Sequence, residues 1–189
     1  MSSNPADIIL TTAYLPPVAW FVVIRDATEF ALEAHENYQK GGWRNRCRIA
    51  GPNGVQLLSI PLEKGKHQQT PIRDVRISYA ENWQKVHWRS IRTAYGNAPY
   101  FEHYEEDLAR FFQTKADFLF DFNLGLIQFL LKKTGWIGSV IFTSGYQGQS
   151  ELPEFTTKSY PQVFEDRHGF LPGLSMLDAL LCCGPALMK

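Results

Sequence analysis

Apolar residues first gather at Ile8, Ile9 and Leu10, give way to the polar, proline-containing TTAYLPP, and resume over 18–24 as VAWFVVI. That order predicts a strand, a turn and a helix, because proline fits the first helical turn, where its missing N–H has no partner to lose. The N–H groups left at such a helix start make it a place where an anion would be attracted. Residues 29–34 read as a second strand. Two further runs, 44–50 and 55–62, flank Gly51-Pro52-Asn53-Gly54, whose Asn-Gly pair is a strong short-range hairpin signal. Residues 71–79 alternate again, with Arg73, Val75, Ile77 and Tyr79 on one face and Ile72, Asp74, Arg76 and Ser78 on the other.

From Asn82 the period becomes helical. Trp83, His87, Ile91, Ala94 and Tyr95 form one stripe that runs to Gly96. Second and third helices are expected over 102–114 and 115–134, the latter stopped by Gly135, and a last strand over 137–143. Residues 144–159, rich in Gly, Ser, Gln and Thr, read as a long loop. Residues 63–70, EKGKHQQT, lack apolar periodicity and read as a mobile basic loop able to act as a lid. The tail over 160–185 carries Phe164, Phe170, Leu171, Leu174, Met176 and Leu177, six apolar side chains that need burial, and a short helix over 175–181 with Ser175 and Asp178 spaced as a capping box. The expectation is a single α/β domain over 1–189: an early βα unit, a mixed sheet with a β-hairpin, a layer of about three helices, and a docked C-terminal segment at 160–185.

Composition narrows the function classes. A chain of 189 residues can bury a sizeable core without disulfide staples. Lys and Arg together number 19, as do Asp and Glu, so no global field draws the chain to nucleic acid, and any anion site must be local. Cys47, Cys182 and Cys183 are odd in number and lack zinc-ligand spacing, which argues for reduced thiols, no metal and a cytoplasmic location. The N-terminus lacks the pattern of a signal peptide, and 118–131 is too short and too polar to insert in a membrane. The sequence contains no GxGxxG, Walker A, GxSxG or HExxH pattern, and no cofactor is expected.

Candidate chemistry concentrates in HENYQKGGWRNRCRI, residues 35–49. If 43–49 is extended, Arg44, Arg46 and Arg48 share one face, opposite Trp43, Asn45, Cys47 and Ile49. Guanidinium matches phosphate or carboxylate in a bidentate manner, so this ladder reads as an anion site, with His35, Glu36, Tyr38 and Lys40 beside it. The competing reading is a solvated strand face with ordinary surface ion pairs. His35, or His168 in the EDRHG turn with Asp166 and Arg167, has the side chain of a general base, and Glu36 is an adjacent carboxylate. Tyr14, Trp43 and Tyr100 are candidates for pocket walls. His87, on an apolar helix face, reads as a hydrogen-bonded core histidine.

Five blocks, TTAYLPPVAWF, HENYQKGGWRNRCRI, NWQKVHWRSIRTAYGNAPYF, LFDFNLGLI and YPQVFEDRHGFLPGLSMLDALLCCGP, together resemble the WbqC-like family of bacterial proteins. Here Thr11-Thr12-Ala13-Tyr14 stands in place of the family's more usual first turn, and Gly173 and Cys182-Cys183 stand where many relatives have Asn and Asn-Glu. The resemblance implies a link to surface-polysaccharide (O-antigen) biosynthesis, where a glycine transferase role has been proposed for some members. A small anionic donor and a sugar acceptor would then be the partners. The alternative is a non-catalytic scaffold whose basic strand docks an anionic partner. The ladder reading further expects that replacing Arg44 and Arg46 by Met removes phosphate binding and leaves thermal stability nearly unchanged.

Overall fold

The computed structural model of the chain describes residues 7–63, 70–152 and 159–185. Strand β1 (Ile9–Thr11) leads into helix α1 (Val18–Ile24), then β2 (Glu29–Glu33), the hairpin strands β3 (Arg46–Gly51) and β4 (Gly54–Ser59), and helices α2 (Trp83–Tyr95), α3 (Phe101–Gln113) and α4 (Leu119–Thr134). Strand β5 (Ser139–Phe142) and helices α5 (Glu165–His168) and α6 (Met176–Cys183) complete the order. The α/β architecture expected from the patterning is present. Its strands divide into two sheets, a parallel β1-β2-β5 and the antiparallel β3-β4 hairpin. Parallel pairing aligns Ile9 with Ala31 and Phe30 with Val140, so all three strands end at the same edge. That edge, outside the carboxyl ends of the strands, is where open α/β sheets receive ligands.

Several elements differ from the pattern-based expectation for local reasons. The alternating 71–79 segment forms no ladder: Ile72–Asp74 is a single 3-10 turn, and the isolated bridges Asn37 with Pro71, Leu62 with Ile77 and Arg76 with Phe118 use its backbone instead. Its alternation records a chain squeezed between neighbours, with Ile72, Val75 and Ile77 buried. At the hairpin, Gly51 pairs with Gly54, so Pro52 and Asn53 form the turn and Gly54 takes the positive φ of +101°. Helix α4 begins at Leu119, after the Phe118 bridge, and stops where Gly135 adopts φ +76°. At the start of α1, the Val18 N–H donates to Leu174 O at 3.0 Å and is thereby taken up by the chain rather than offered to an anion. The lid expected in 63–70 falls mostly on residues 64–69, which lie outside the described residues.

Helix α6 is the centre of the molecule. Seven of its eight residues, Met176 to Cys182, are buried, as befits a helix apolar nearly all round. Its contacts reach α1, α2, α3, α4 and β3. Backbone bonds tie its entry down: Ser175 N–H to Arg48 O at 2.8 Å and Met176 N–H to Pro16 O at 2.8 Å. Ser175 caps the helix through Oγ, which accepts from Leu177 N–H. Asp178 does not close the expected capping box, because its carboxylate turns inward to accept from Gln162 Nε2 at 3.3 Å, and Tyr95 and Tyr160 face it. Among the described residues no helix is long and apolar enough to cross a membrane.

Candidate functional site

At the carboxyl edge of the parallel sheet the backbone makes two departures that shape a cavity. After β1, Leu15 adopts φ +43°, a left-handed conformation that costs a non-glycine residue about 1–2 kcal/mol. The same turn sends the Tyr14 N–H to Trp43 O at 2.9 Å, which docks the 39–45 loop against β1. After β2, buried Glu33 accepts three hydrogen bonds, from His35 N–H at 2.8 Å, Thr143 Oγ1 at 2.8 Å and Gln147 N–H at 2.9 Å. One carboxylate thereby gathers the chain after β2 and the chain after β5. Further on, Ser150 N–H donates to Ile9 O at 2.6 Å and Ser150 Oγ accepts from Ile9 N–H at 3.0 Å, covering the open edge of β1.

The cavity between these segments holds about 300 Å³, the lower end of ligand-site volumes. Leu10, Thr11 and Trp20 form its sheet side, Gln39, Lys40, Trp43 and Arg44 a second wall, and Gln149, Ser150 and Leu152 a third. Trp20 is fixed by donating Nε1–H to Thr11 O at 3.2 Å. Arg48 places its guanidinium 5.3 Å from the centre of the Trp43 ring, on the same loop-strand junction.

Arg44 and Glu36 make a buried ion pair, 5% and 2% exposed. Arg44 Nε donates to Glu36 Oε1 at 2.8 Å, and a second, very close contact joins Nη2 to Oε2. Burial raises the Glu36 pKa, and the Arg44 hydrogen bond and charge oppose the rise. Asn123 of α4 donates Nδ2–H to Arg44 O at 2.7 Å. Asn45 accepts from Tyr38 O–H at 2.9 Å and donates to Ile60 O at 2.9 Å. Helix α4 and the residue following β4, Ile60, thus hold the loop from behind, and a site built on such supports keeps its geometry.

The arginine ladder is accordingly broken. β3 starts only at Arg46, and the bend before it turns Arg44 inward, leaving Arg48 exposed and Arg46 half-buried with its Nε enclosed and lacking a hydrogen-bond partner among the described residues. Lys40, Trp43 and Arg44 line the cavity; Glu36, Tyr38, Asn45 and Tyr14 brace it, and His35 is exposed beside Glu36. Asp166, Arg167 and His168 lie elsewhere. Arg167 Nη1 and His168 Nε2 each contact Pro52 O at 3.0 Å, at the tip of the hairpin, whose other end carries Arg46 roughly 17 Å away along the strand. Tyr100 packs against Gly184 at the end of α6, not against the cavity. Tyr14 is buried, its hydroxyl 2.9 Å from His87 Nδ1. Burial lowers the His87 pKa to about 4, against a smaller raising effect of the Ser59 backbone, as suits a buried histidine on an apolar helix face.

Pattern reading missed Glu33, Thr11, Trp20, Gln39, Gln149 and Ser150. Glu33 had a signal, a carboxylate ending an apolar strand that a parallel sheet would bury; Gln149 and Ser150 had none. The thiols are not activated nucleophiles, since burial raises Cys47 strongly and pushes Cys182 up to about 12.

A protein of Mycobacterium tuberculosis, "Uncharacterized protein Rv1507c", is 33% identical over 102 residues, 53% of this chain, and the match spans 43% of that relative's length. No solved structure matches the chain. The model of the WbqC-like protein family matches residues 12–152, a span that holds α1, β2, the 35–49 segment and the loop after β5. With most of its length, and nearly all of the cavity wall, inside that match, the chain belongs to the WbqC-like protein family.

Proposed function

We propose that the sheet-edge cavity is the site of a transferase acting on a sugar intermediate of surface polysaccharide (O-antigen) biosynthesis, with aminoacyl or glycyl transfer as the reaction. The observation that carries this reading is the wall formed by Gln39, Lys40, Trp43 and Arg44 beside the carboxyl end of β1. An indole face beside amide and hydroxyl groups suits a sugar ring. Lys40 supplies positive charge for the anionic groups of the substrates, while Arg44, its charge matched by Glu36, shapes the wall. In the transfer, the acceptor amine or hydroxyl attacks the donor's acyl carbon, the bond to the donor's leaving group breaks with its electron pair, and the acceptor proton passes to a base. His35, exposed between β2 and the 39–45 loop and outside the cavity lining, is the base this reading assigns, and the leaving group is stabilised by Lys40.

A second reading, a non-catalytic anion-binding scaffold, is favoured by one observation. The strongly perturbed acid–base groups, Asp178 at about 6 and His87 at about 4, sit in the core rather than at the cavity, whereas catalytic acids and bases tend to be tuned where they act. Titration calorimetry with a uridine-diphosphate sugar, followed by mass spectrometry of that sugar after incubation with a glycyl donor, separates the two. Binding lost in Lys40→Ala together with a His35-dependent glycyl adduct supports the transferase. Binding without any adduct supports the scaffold, and no binding removes both.

A further inference from the structure

A second concavity lies on the opposite functional footing from the polar sheet-edge cavity. Between α3 and α4 a groove of about 510 Å³ is lined by Phe111, Phe122, Gly125 and Phe129, with Arg110, Lys115, Lys132 and Lys133 around its rim. The floor is aromatic: Phe111 meets Phe129 at 5.7 Å and Phe122 at 6.5 Å between ring centres, both edge to face. Gly125 makes this possible. Glycine within a helix is destabilising relative to alanine, yet a Cβ here would come 3.1 Å from Phe111 Cε1, so its absence lets the phenyl ring lie against α4.

The rim is unbalanced in charge. Four cations face Asp107 and Asp121 among the lining groups, and Arg110 is also held by Glu106 at 2.7 Å outside them, which leaves Lys115 and Lys132 as the excess. Asp107 alone serves Lys133 at 2.7 Å and Arg110 at 3.9 Å, and it also feels Lys132. Lys115, at the other end, sits 4.9 Å over the Tyr79 ring. An apolar floor ending in excess positive charge is complementary to a single-chain amphiphile with an anionic head. The size also discriminates, because the groove matches small-ligand sites, whereas a stable protein partner buries about 800 Å² on each side. The ten helical rises from Phe122 to Lys132 span roughly 15 Å, a length for an extended medium-length alkyl chain. A peptide occupant would bring backbone polar groups that three phenyl rings cannot satisfy.

The geometry points to a binding site for a free fatty-acyl chain in the α3–α4 groove, its alkyl part on Phe111, Phe122 and Phe129 and its carboxylate at Lys132 or Lys115. This site is independent of the sheet-edge cavity and of the transferase reading. Titration calorimetry of the full chain with laurate below its micelle concentration tests it, with monomeric dodecyl maltoside and dodecyltrimethylammonium as neutral and cationic heads on the same chain. Laurate is expected to bind stoichiometrically, at least tenfold tighter than either control. Lys115→Glu with Lys132→Glu, both exposed positions, should lower laurate affinity at least tenfold without altering the fold. Gly125→Leu should block the groove; if that variant fails to fold, the lysine pair decides. Equal affinity for all three heads, laurate binding unaffected by the lysine reversals, or binding to phosphatidylglycerol vesicles without binding of monomeric laurate would each overturn the proposal.

Discussion

Replacing Arg44 by Met perturbs the molecule at its most exposed assumption, that the Glu36–Arg44 pair is structural rather than a solvated clamp. Both side chains are almost fully enclosed, and two donor nitrogens of one guanidinium serve the two oxygens of one carboxylate. Removing one member of such a pair strands the other charge away from water, which costs about 3–5 kcal/mol. For a chain of this size that is a fall in Tm of roughly 6–20 °C. The deficit should depend on pH. Burial already raises the Glu36 pKa and Arg44 opposes that rise, so without Arg44 the folded-state pKa climbs further above its unfolded value. The folded protein then binds the extra proton, and the variant recovers as pH falls. Urea denaturation followed by circular dichroism at pH 5 and pH 8 measures this, the larger deficit being expected at pH 8. Arg44→Met combined with Glu36→Met should regain most of the loss, because a buried ion pair replaced by apolar groups is often neutral. A single variant that loses less than about 1 kcal/mol, equally at both pH values, would behave like a surface pair and refute the reasoning.

Asp178 and His87 tilt stability in opposite directions. Burial raises Asp178 from 3.8 to about 6, so its stabilising proton is held at low pH and its contribution is lost as pH rises from about 4 through 6; Asp178→Asn should therefore gain relative stability across that window, by up to about 3 kcal/mol, in urea titrations. His87, lowered from 6.5 to about 4, contributes fully above 6.5 and loses its contribution as pH falls toward 4, so the Asp178→Asn variant should show a rising stability between pH 4 and 6.5 that His87→Gln flattens. Deleting everything after Gln149 should leave a chain without a cooperative thermal transition, since each of Met176, Leu177, Leu180 and Leu181 contributes about 1.5–3 kcal/mol by burial in the core. Asn123→Ala should leave the Arg44 carbonyl without its donor and weaken folding by about 1–3 kcal/mol, read by chemical denaturation.

Elements with a strong period were legible, and those shaped by distant neighbours were not. The stripe from Trp83 to Tyr95 and the stop at Gly135 are local facts of spacing and backbone freedom, so helices α2 and α4 end where the pattern says. Alternation over 71–79 is equally clear, yet the segment is bridged singly to three different partners, Asn37, Leu62 and Phe118. The 35–49 segment stands out by its density of polar groups, and Gln39, Lys40, Trp43 and Arg44 within it form one wall of the sheet-edge cavity. What the alternation of Arg44, Arg46 and Arg48 concealed is the bend before Arg46, which tertiary demands impose: Asn123 pulls on the Arg44 carbonyl and Glu36 captures its side chain. Docking of the tail is legible from its six apolar side chains, and the short helix α6 from its capping signal. Its apolar residues on every side, broken only by Asp178, were the better clue to a central position. His168 drew attention by its polar setting, but spacing along a chain cannot tell a turn at the hairpin tip from a turn at the sheet edge.

The most direct test of the sheet-edge cavity as the ligand site uses the five tryptophans. Trp20 and Trp43 line the cavity, whereas Trp83, Trp88 and Trp136 pack among other elements. In nitrogen-15 indole spectra, saturation with a uridine-diphosphate sugar should shift the Trp20 and Trp43 signals and leave the other three in place, and Lys40→Ala should abolish those shifts while preserving the spectrum of the free protein. Shifts confined to Trp83, Trp88 or Trp136, or shifts at Trp20 and Trp43 that persist unchanged in Lys40→Ala, would contradict the account.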